Sequence, residues 1–445
     1  MSFVDTKNAV QTCVLSKRWI DTWKSLPFLK FDRDSFSEDR TDSFIMFADM
    51  VLLSLREDFD IQMFTVHWKN SAYDDSVMMN VIRWSLTAVE YNVVDLSKQI
   101  DQLHITAYEI PHRLLNCRSL KKLIISAHGN ARYVDIVLPG SMSLPQLKLL
   151  FLIGLAISDV ESSKRLFSSC PVLETLFISN FDIQTDNARK LIVDSLSLKK
   201  FEFYDHRRGR LPQYDTTAII IKLCAPNLEE FNFRSLFTIN YCLENCSPLS
   251  RAYFDMTLRK QKRNENTETY ESLHRRKFYM LNVLAQTPDL VDCRQPPRLN
   301  NLQCLILEMW STGGCLRAVA YLLKISPSIT HLVLESMESN LGNIEDDWEA
   351  GLILPGKLSH LKLIRINDAE ECDAELELLS FLFKNAKVLE KVVVCFGSSV
   401  GSPDRVTQVK QFQDKLRALP RSSSVRLLPF VFLLSAGNVF ICEKE

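Results

Sequence analysis

Glycine is scarce, at 12 of 445 residues against a usual share of about 7%. That scarcity counts against glycine-rich phosphate loops and collagen-like repeats. The twelve cysteines contain no C-x-x-C pair, and no cluster among the eight histidines complements them. No metal site or cofactor is expected, and the cysteines read as buried thiols of a reducing compartment. A charge excess is also missing, with 53 Lys+Arg against 54 Asp+Glu. Non-specific wrapping of nucleic acid normally needs a basic surplus, so no nucleic-acid partner is expected. Long apolar runs are absent too. The nearest, Leu427 to Cys442, is interrupted by Pro429, Gly437 and Asn438, so no membrane span is expected. The N-terminus, Met1 to Lys7, lacks the basic-then-apolar order of a signal peptide. These absences together describe a soluble intracellular chain, cytoplasmic or nuclear. Hydrophobic residues at 46% and charged residues at 24% exclude disorder along the whole length. The length suits about three ordinary domains or one long repetitive body.

Repetition is what the sequence does have. Apolar residues at i, i+3 and i+5 recur as Ile100-Leu103-Ile105, Leu120-Leu123-Ile125, Leu147-Leu150-Leu152, Leu173-Leu176-Ile178 and Leu198-Phe201-Phe203. They continue as Leu228-Phe231-Phe233, Leu302-Leu305-Leu307, Ile329-Leu332-Leu334, Leu358-Leu361-Leu363 and Leu389-Val392-Val394. A weaker copy runs from Leu249 to Phe254. Steps of 20, 27, 26, 25 and 30, then a gap of 74, then 27, 29 and 31 fall near the period of leucine-rich repeats. The residues ahead of each triplet recur as well, as in Ser169-Cys-Pro-Val-Leu173, Cys224-Ala-Pro-Asn-Leu228 and Ser326-Pro-Ser-Ile329. In a strand, i+3 and i+5 share one face, and the residue at i reaches the same core across the preceding bend. One such unit cannot bury its apolar face alone, so neighbours must stack. The expected fold is therefore an α/β leucine-rich-repeat solenoid, a horseshoe of parallel strands carrying these ten triplets.

The connecting segments are less regular. Phe44, Phe47, Val51 and Leu55 suggest a helix, Ile61 to Trp68 a strand, and Val77 to Val89 a second helix with Val81, Trp84 and Ala88 on one stripe. Val160 to Phe167 reads as a short repeat helix. Glu375 to Asn385 reads as another, with Leu376, Leu379, Phe381 and Leu382 inward. Arg259 to Glu268 is polar and aperiodic, an exposed loop with a nuclear address as the alternative.

Two motifs imitate catalytic machinery. Gly351 to Lys357 matches G-x-x-x-x-G-K, but Leu358 follows where Ser or Thr would hold Mg²⁺. Gly397-Ser-Ser399-Val-Gly401 matches G-x-S-x-G, but the last histidine is His360, so no downstream base follows. Neither context supports an enzyme.

Near the N-terminus, Asp5 or Thr6 can cap a short helix on which Val10 and Val14 share a face. Trp19 and Trp23 stand four apart on a second helix ending at Leu26, before Pro27. The run Lys7 to Trp19, Lys-Asn-Ala-Val-Gln-Thr-Cys-Val-Leu-Ser-Lys-Arg-Trp, resembles the second half of a plant F-box. The repeats behind it resemble those of plant F-box proteins. Leu354-Pro-Gly-Lys-Leu358, Glu375-Leu-Glu-Leu378, Asn385 to Lys391 and Leu419 to Ser423 resemble the FBD region that ends many of them. The resemblance implies a non-enzymatic substrate receptor of an SCF (Skp–cullin–F-box) ubiquitin ligase. The F-box would dock on a Skp-type adaptor and through it a cullin, and the repeats would hold a target protein. It assigns Val10, Val14, Leu15, Trp19 and Trp23 to the F-box helices and adaptor contact. The family's F-box opens with a Leu- and Ile-rich helix after a Leu-Pro pair, which this sequence does not contain. Two fewer buried apolar residues would weaken adaptor binding by about two to four decades, and residues 1–26 would lack a packing partner. The alternative is a free-standing repeat scaffold that recruits no ligase.

The expected organisation is a partial F-box over 1–33, an irregular solenoid over 34–345, an FBD-like region over 346–428 and an apolar tail over 429–445. The tail reads either as a last strand capping the solenoid or as an end that packs poorly. The expected target surface is the concave strand face, where outward residues alternate with core ones. Lys122, Ile124, Lys200, Glu202, Glu230, Asn232, His331 and Val333 stand there.

Overall fold

The computed structural model describes residues 5–16, 22–37, 40–56, 58–69, 76–103, 107–129, 134–157, 160–183, 190–205, 219–235, 239–244, 248–256, 298–309, 312–336, 358–369, 371–396, 403–420, 426–427 and 431–432. In chain order the first elements are α1 (Thr6–Gln11), β1 (Phe28–Asp32), α2 (Thr41–Leu53), β2 (Met63–Lys69), α3 (Ser76–Glu90), β3 (Asp95–Leu103), β4 (Ala107–Glu109), β5 (Lys122–Gly129) and β6 (Val134–Val137). Next come β7 (Leu149–Ile153), β8 (Leu155–Ile157), α4 (Val160–Ser168), β9 (Thr175–Ser179), β10 (Asp182–Ile183), β11 (Lys190–Asp194), β12 (Lys200–Asp205), β13 (Ile219–Cys224), β14 (Glu230–Ser235) and β15 (Ile239–Glu244). The last are β16 (Arg251–Met256), β17 (Cys304–Met309), α5 (Thr312–Ile325), β18 (His331–Ser336), β19 (Leu363–Asn367), α6 (Asp373–Asn385), β20 (Lys391–Phe396), α7 (Pro403–Ala418), β21 (Arg426–Leu427) and β22 (Val431–Phe432).

The chain divides into two units, Met1–Leu228 with Ile239–Asn245, and Glu229–Thr238 with Cys246–Glu445. Each is a leucine-rich-repeat stack. In the first, a parallel sheet runs β1-β2-β3-β5-β7-β9-β12. Two smaller parallel sheets are β10-β8-β6-β4, built from segments between those strands, and β11-β13-β15, whose last two strands follow β12 in the chain. In the second unit, β14, β16, β17, β18, β19 and β20 pair in that order, all parallel, and β21 and β22 both pair with β20.

The repeat pattern works as its physics requires. Leu147, Leu150 and Leu152 are each at most 1% exposed, as are Leu173, Leu176 and Ile178. A recurring turn leads into the strand. The leading residue's N–H donates to the carbonyl three residues earlier, in Leu147→Leu144, Leu173→Cys170, Leu228→Ala225, Leu302→Leu299 and Ile329→Ser326. Pro145, Pro171, Pro226 and Pro327 occupy the second position of four of these turns, where their fixed φ is already suited. One residue further on, a ladder links successive repeats, with Lys148 N–H donating to Lys121 O, Glu174 to Lys148 O and Lys199 to Glu174 O. The same ladder links Gln303 to Ser250 O, Thr330 to Gln303 O, Lys362 to Thr330 O and Glu390 to Lys362 O.

Eight of the ten expected triplets, and the weaker Leu249 copy, occupy these positions. Two do not. The core of β19 is Leu361, Ile364 and Ile366, with Leu363 on the opposite face. Two overlapping triplets fit the same sequence here, and the Lys362 ladder bond selects the later one. For β3 the residues in the triplet positions are Val93, Leu96 and Lys98; Ile100, the first of the expected triplet, is buried one step further along the same strand, and Ile105 lies outside the described residues. Lys98 stands where an apolar residue belongs and hides the triplet. Its Nζ donates to Tyr108 Oη at 2.6 Å and lies 4.9 Å from that ring's centroid. Lys98→Leu alone should cost about 1–3 kcal/mol, because the Tyr108 hydroxyl is stranded in the core. Adding Tyr108→Phe should recover most of that loss. Chemical denaturation of the single and double variants checks both.

The repeats also begin earlier than expected. β1 lies within residues 1–33 and already carries the pattern, with Leu26, Leu29 and Phe31 at most 7% exposed, and Ile61, Phe64 and Val66 repeat it in β2. The helices fall where their stripes place them, with Val81, Trp84 and Ala88 of α3 at most 1% exposed. In α6 the buried set is Glu375, Leu376, Leu378, Leu379, Leu382 and Phe383, while Phe381 is only half-buried. In the tail, Val431 and Phe432 pair with Cys395 and Phe396. Arg259 to Glu268 and residues 433–445 lie outside the described residues. No helix among the described residues is long and apolar enough to cross a membrane.

Candidate functional site

The first surface is the N-terminal helical segment. Asp5 caps α1, its Oδ1 accepting from Asn8 N–H at 2.8 Å. Thr6 and Ala9 are buried, and Thr6 Oγ1 accepts from Lys30 N–H of β1 at 2.7 Å. Lys7 Nζ donates to Ser35 O at 2.5 Å and sits 4.2 Å over the Phe36 ring. Residues 1–26 therefore do not lack a packing partner throughout, because the first repeat holds α1. Val10 is half-buried. The helix stops at Gln11 and tightens into a 3₁₀ turn over Thr12–Val14, closed by Leu15 N–H donating to Thr12 O. That change of pitch moves Val14 off the Val10 face. Val14 is 86% exposed and Leu15 78% exposed, the two most exposed large apolar side chains among the described residues of this segment. Trp23 is buried, at 8% exposure, and Trp19 lies outside the described residues.

The second surface is the sheet face opposite the core. In the first unit it carries Lys122 and Ile124 of β5 and Lys200 and Glu202 of β12, all half-buried, with Lys200 Nζ 2.6 Å from Glu202 Oε1. Between them the register places Leu149, Phe151 and Ile153 of β7 and Thr175 and Phe177 of β9. Phe151 stacks on Phe177 at 5.2 Å, and Phe177 on Tyr204 at 5.3 Å. These aromatics escape sequence reasoning because runs such as Leu149-Leu-Phe-Leu-Ile153 look uniformly like core. Counting four residues on from Leu147 and Leu173 finds Phe151 and Phe177, and six on from Leu198 finds Tyr204.

In the second unit the same face carries Glu230 and Asn232 of β14 and His331 and Val333 of β18. Val333 is not open to solvent. With Tyr253, Cys304 and Ile306 it forms a buried row, none more than 8% exposed. Beyond that row Tyr253 Oη donates to Glu308 Oε2, and Arg234 stacks over the Tyr253 ring at 4.3 Å. Burial pushes the Glu335 carboxyl above its ordinary value, and the Glu308 and Asp368 charges push it the same way. Burial and Lys362 both hold His331 below the usual imidazole range. A carboxyl raised on folding adds stability below its unfolded value near 4.5, and that stability is lost as pH rises through the folded value. Glu335→Gln should therefore raise Tm at pH 7. The gain should shrink as pH falls toward 4.5, which a pH series of melting curves would show.

Among the described residues, Asp32, Asp34 and His67 bring possible ligand atoms within 4.8 Å of one another. Asp32 Oδ1 is already 3.0 Å from His67 Nδ1 and accepts from Asp34 N–H at 3.1 Å, so it closes the end of β1 without a cation. The described cysteines are unbridged, and burial pushes the Cys170 thiol up to about 12, too high for a nucleophile at neutral pH. Gly351–Lys357 and Gly397–Gly401 lie outside the described residues.

Comparison with known proteins adds the following. A family model described as "FBD-associated F-box protein At5g56370, LRR repeats" matches residues 81–246, and one described as "FBD" matches residues 357–394. F-box/LRR-repeat protein 13 of Arabidopsis thaliana is 26% identical over 438 residues, covering 94% of this chain and 90% of that protein. F-box/FBD/LRR-repeat protein At1g78750 of the same plant is 24% identical over 443 residues, covering 95% and 91%. F-box/FBD/LRR-repeat protein At5g22660, also from that plant, is 25% identical over 417 residues, covering 89% and 86%.

Proposed function

We propose that this chain, a member of the F-box/FBD/LRR-repeat family of plant proteins, is a non-catalytic substrate receptor of an SCF-type ubiquitin ligase. Its N-terminal segment docks on a Skp-type adaptor, which carries the cullin. The outward sheet face of its repeats holds the protein to be ubiquitinated.

The observation that carries this reading is the exposure of Val14 and Leu15 beside a helix that is otherwise tied to the repeats. Apolar side chains left open on a short anchored turn are what a protein partner would cover. Co-expression with a Skp-type adaptor and a cullin, followed by affinity purification, tests it. Adaptor and cullin should elute together with the chain. Recovery of other partners but never an adaptor would favour the free-standing scaffold instead.

A further inference from the structure

The outward face of the first unit is neither uniformly polar nor closed. Four residues on from successive triplet leaders stand Ile124, Phe151 and Phe177, all half-exposed, and Tyr204 stacks on Phe177 from the next strand. In the second unit the corresponding Tyr253, Ile306 and Val333 are 4%, 8% and 8% exposed. The open apolar row is thus a property of the first unit.

Ring geometry narrows what that row accepts. Phe151, Phe177 and Tyr204 stack with interplanar angles of 29° and 30° across adjacent strands. Side chains stand roughly perpendicular to a sheet. Rings stacked on one another in that posture turn their edges, not their faces, to solvent. The edge is the positive side of the aromatic quadrupole, so it favours carboxylate and carbonyl oxygens. Faces spent on one another offer no platform for nucleic-acid bases.

Charge points the same way. Lys121, Lys122, Lys148, Lys199 and Lys200 gather at the N-terminal ends of β5, β7 and β12, against Glu174, Glu202 and Asp95, the register partner of Lys122 in β3. Glu174 is shared by Lys148 at 2.9 Å and Lys199 at 3.6 Å, and Glu202 is taken by Lys200. Glu174 and Glu202 are therefore already engaged, and five lysines against three carboxylates leave the edge a positive excess.

Resting on the reading of this face as the target surface, we propose that the first unit binds an acidic peptide segment of its target through the Phe151–Phe177–Tyr204 row and the lysine edge. The segment carries at least one bulky apolar side chain that packs against the rings, with Asp or Glu residues beside it facing Lys121 and Lys122.

The test uses the full chain, immobilised, and a random twelve-residue peptide library displayed on phage. The expected result is enrichment of peptides combining Asp or Glu with Phe, Trp or Leu. A synthetic peptide of the enriched sequence should bind in fluorescence anisotropy, more weakly as salt rises. Lys121→Glu with Lys122→Glu should weaken it at least tenfold, as should Phe151→Ser with Phe177→Ser. The charge variant alters one exposed and one half-buried lysine and no core residue, so it reads the site even if the aromatic variant folds poorly. No enrichment, enrichment of Lys- or Arg-rich peptides, or displacement by a twelve-nucleotide oligothymidylate would overturn the proposal. Peptides that survive both variants but are lost on Leu363→Ser with Lys391→Glu would overturn it and leave the broader face reading standing. Peptides indifferent to all three would overturn both. Adaptor binding is measured on the same samples and should not change.

Discussion

Trp84→Ala should remove about 3–5 kcal/mol of stability, as truncation of a large buried aromatic does. Trp84 is 1% exposed. Its ring stacks on Trp68 at 5.9 Å, meets Phe44 edge-on at 5.7 Å and leans on Phe31 at 6.2 Å. Its Nε1 donates to Asp49 Oδ1 of α2 at 2.6 Å. One side chain therefore joins α2, α3 and the first two strands. Asp49 keeps Arg83 at 2.8 Å, so the cost comes from the lost ring contacts and the cavity more than from an orphaned carboxylate. A whole domain is stable by only about 5–15 kcal/mol, so the N-terminal repeats should open first. Urea denaturation with hydrogen exchange over residues 41–90 reads this. A change below about 1 kcal/mol would contradict the packing described. Trp84→Phe, which keeps a ring in the stack, should cost less than Trp84→Ala.

Replacing Val14 and Leu15 together by aspartate should abolish adaptor binding while leaving Tm unchanged. Both side chains are largely in water in the free chain, at 86% and 78% exposure, so polar replacements cost folding little. In the complex each is worth roughly 1.5–3 kcal/mol if fully covered. Losing both removes roughly 3–6 kcal/mol, or two to four decades of affinity, before the cost of desolvating two carboxylates. Titration of the purified adaptor into wild type and variant measures the ratio. A matched change at Val10, half-buried against α1's own surroundings, should lower Tm as well and so separate packing from contact.

Much of this architecture is legible in the sequence because burial is periodic. Leu120, Leu147, Leu173 and Leu198 lead strands in the order and register their spacing predicts. The failures have separate physical causes. Lys98 breaks the apolar pattern while occupying a core position, since Tyr108 satisfies it. Leu358-Leu361-Leu363 and Leu361-Ile364-Ile366 satisfy the same template, and only the inter-repeat backbone bond at Lys362 decides between them. Helix α5 begins at Thr-Gly-Gly, residues that disfavour helix, and is held by Leu316, Val319, Leu322 and Leu323 facing the core. The site was legible only in outline. Alternation places Lys122, Ile124, Lys200 and Glu202 outward, but nothing in a one-dimensional pattern separates the half-exposed Phe151 from the buried Val333. That difference depends on what neighbouring strands bring to the same row. Val14 and Leu15 look like ordinary helix residues until the chain is seen to tighten after Gln11.

The most direct measurement is native mass spectrometry of the full chain mixed with a Skp-type adaptor, on three proteins. These are the wild type, Val14→Asp with Leu15→Asp, and Lys121→Glu with Lys122→Glu. Wild type should form a one-to-one complex, the first variant should remain free, and the lysine variant should bind the adaptor as wild type does. An adaptor complex that survives the Val14 and Leu15 changes, or one lost with the lysines, would contradict the division of labour between the two surfaces.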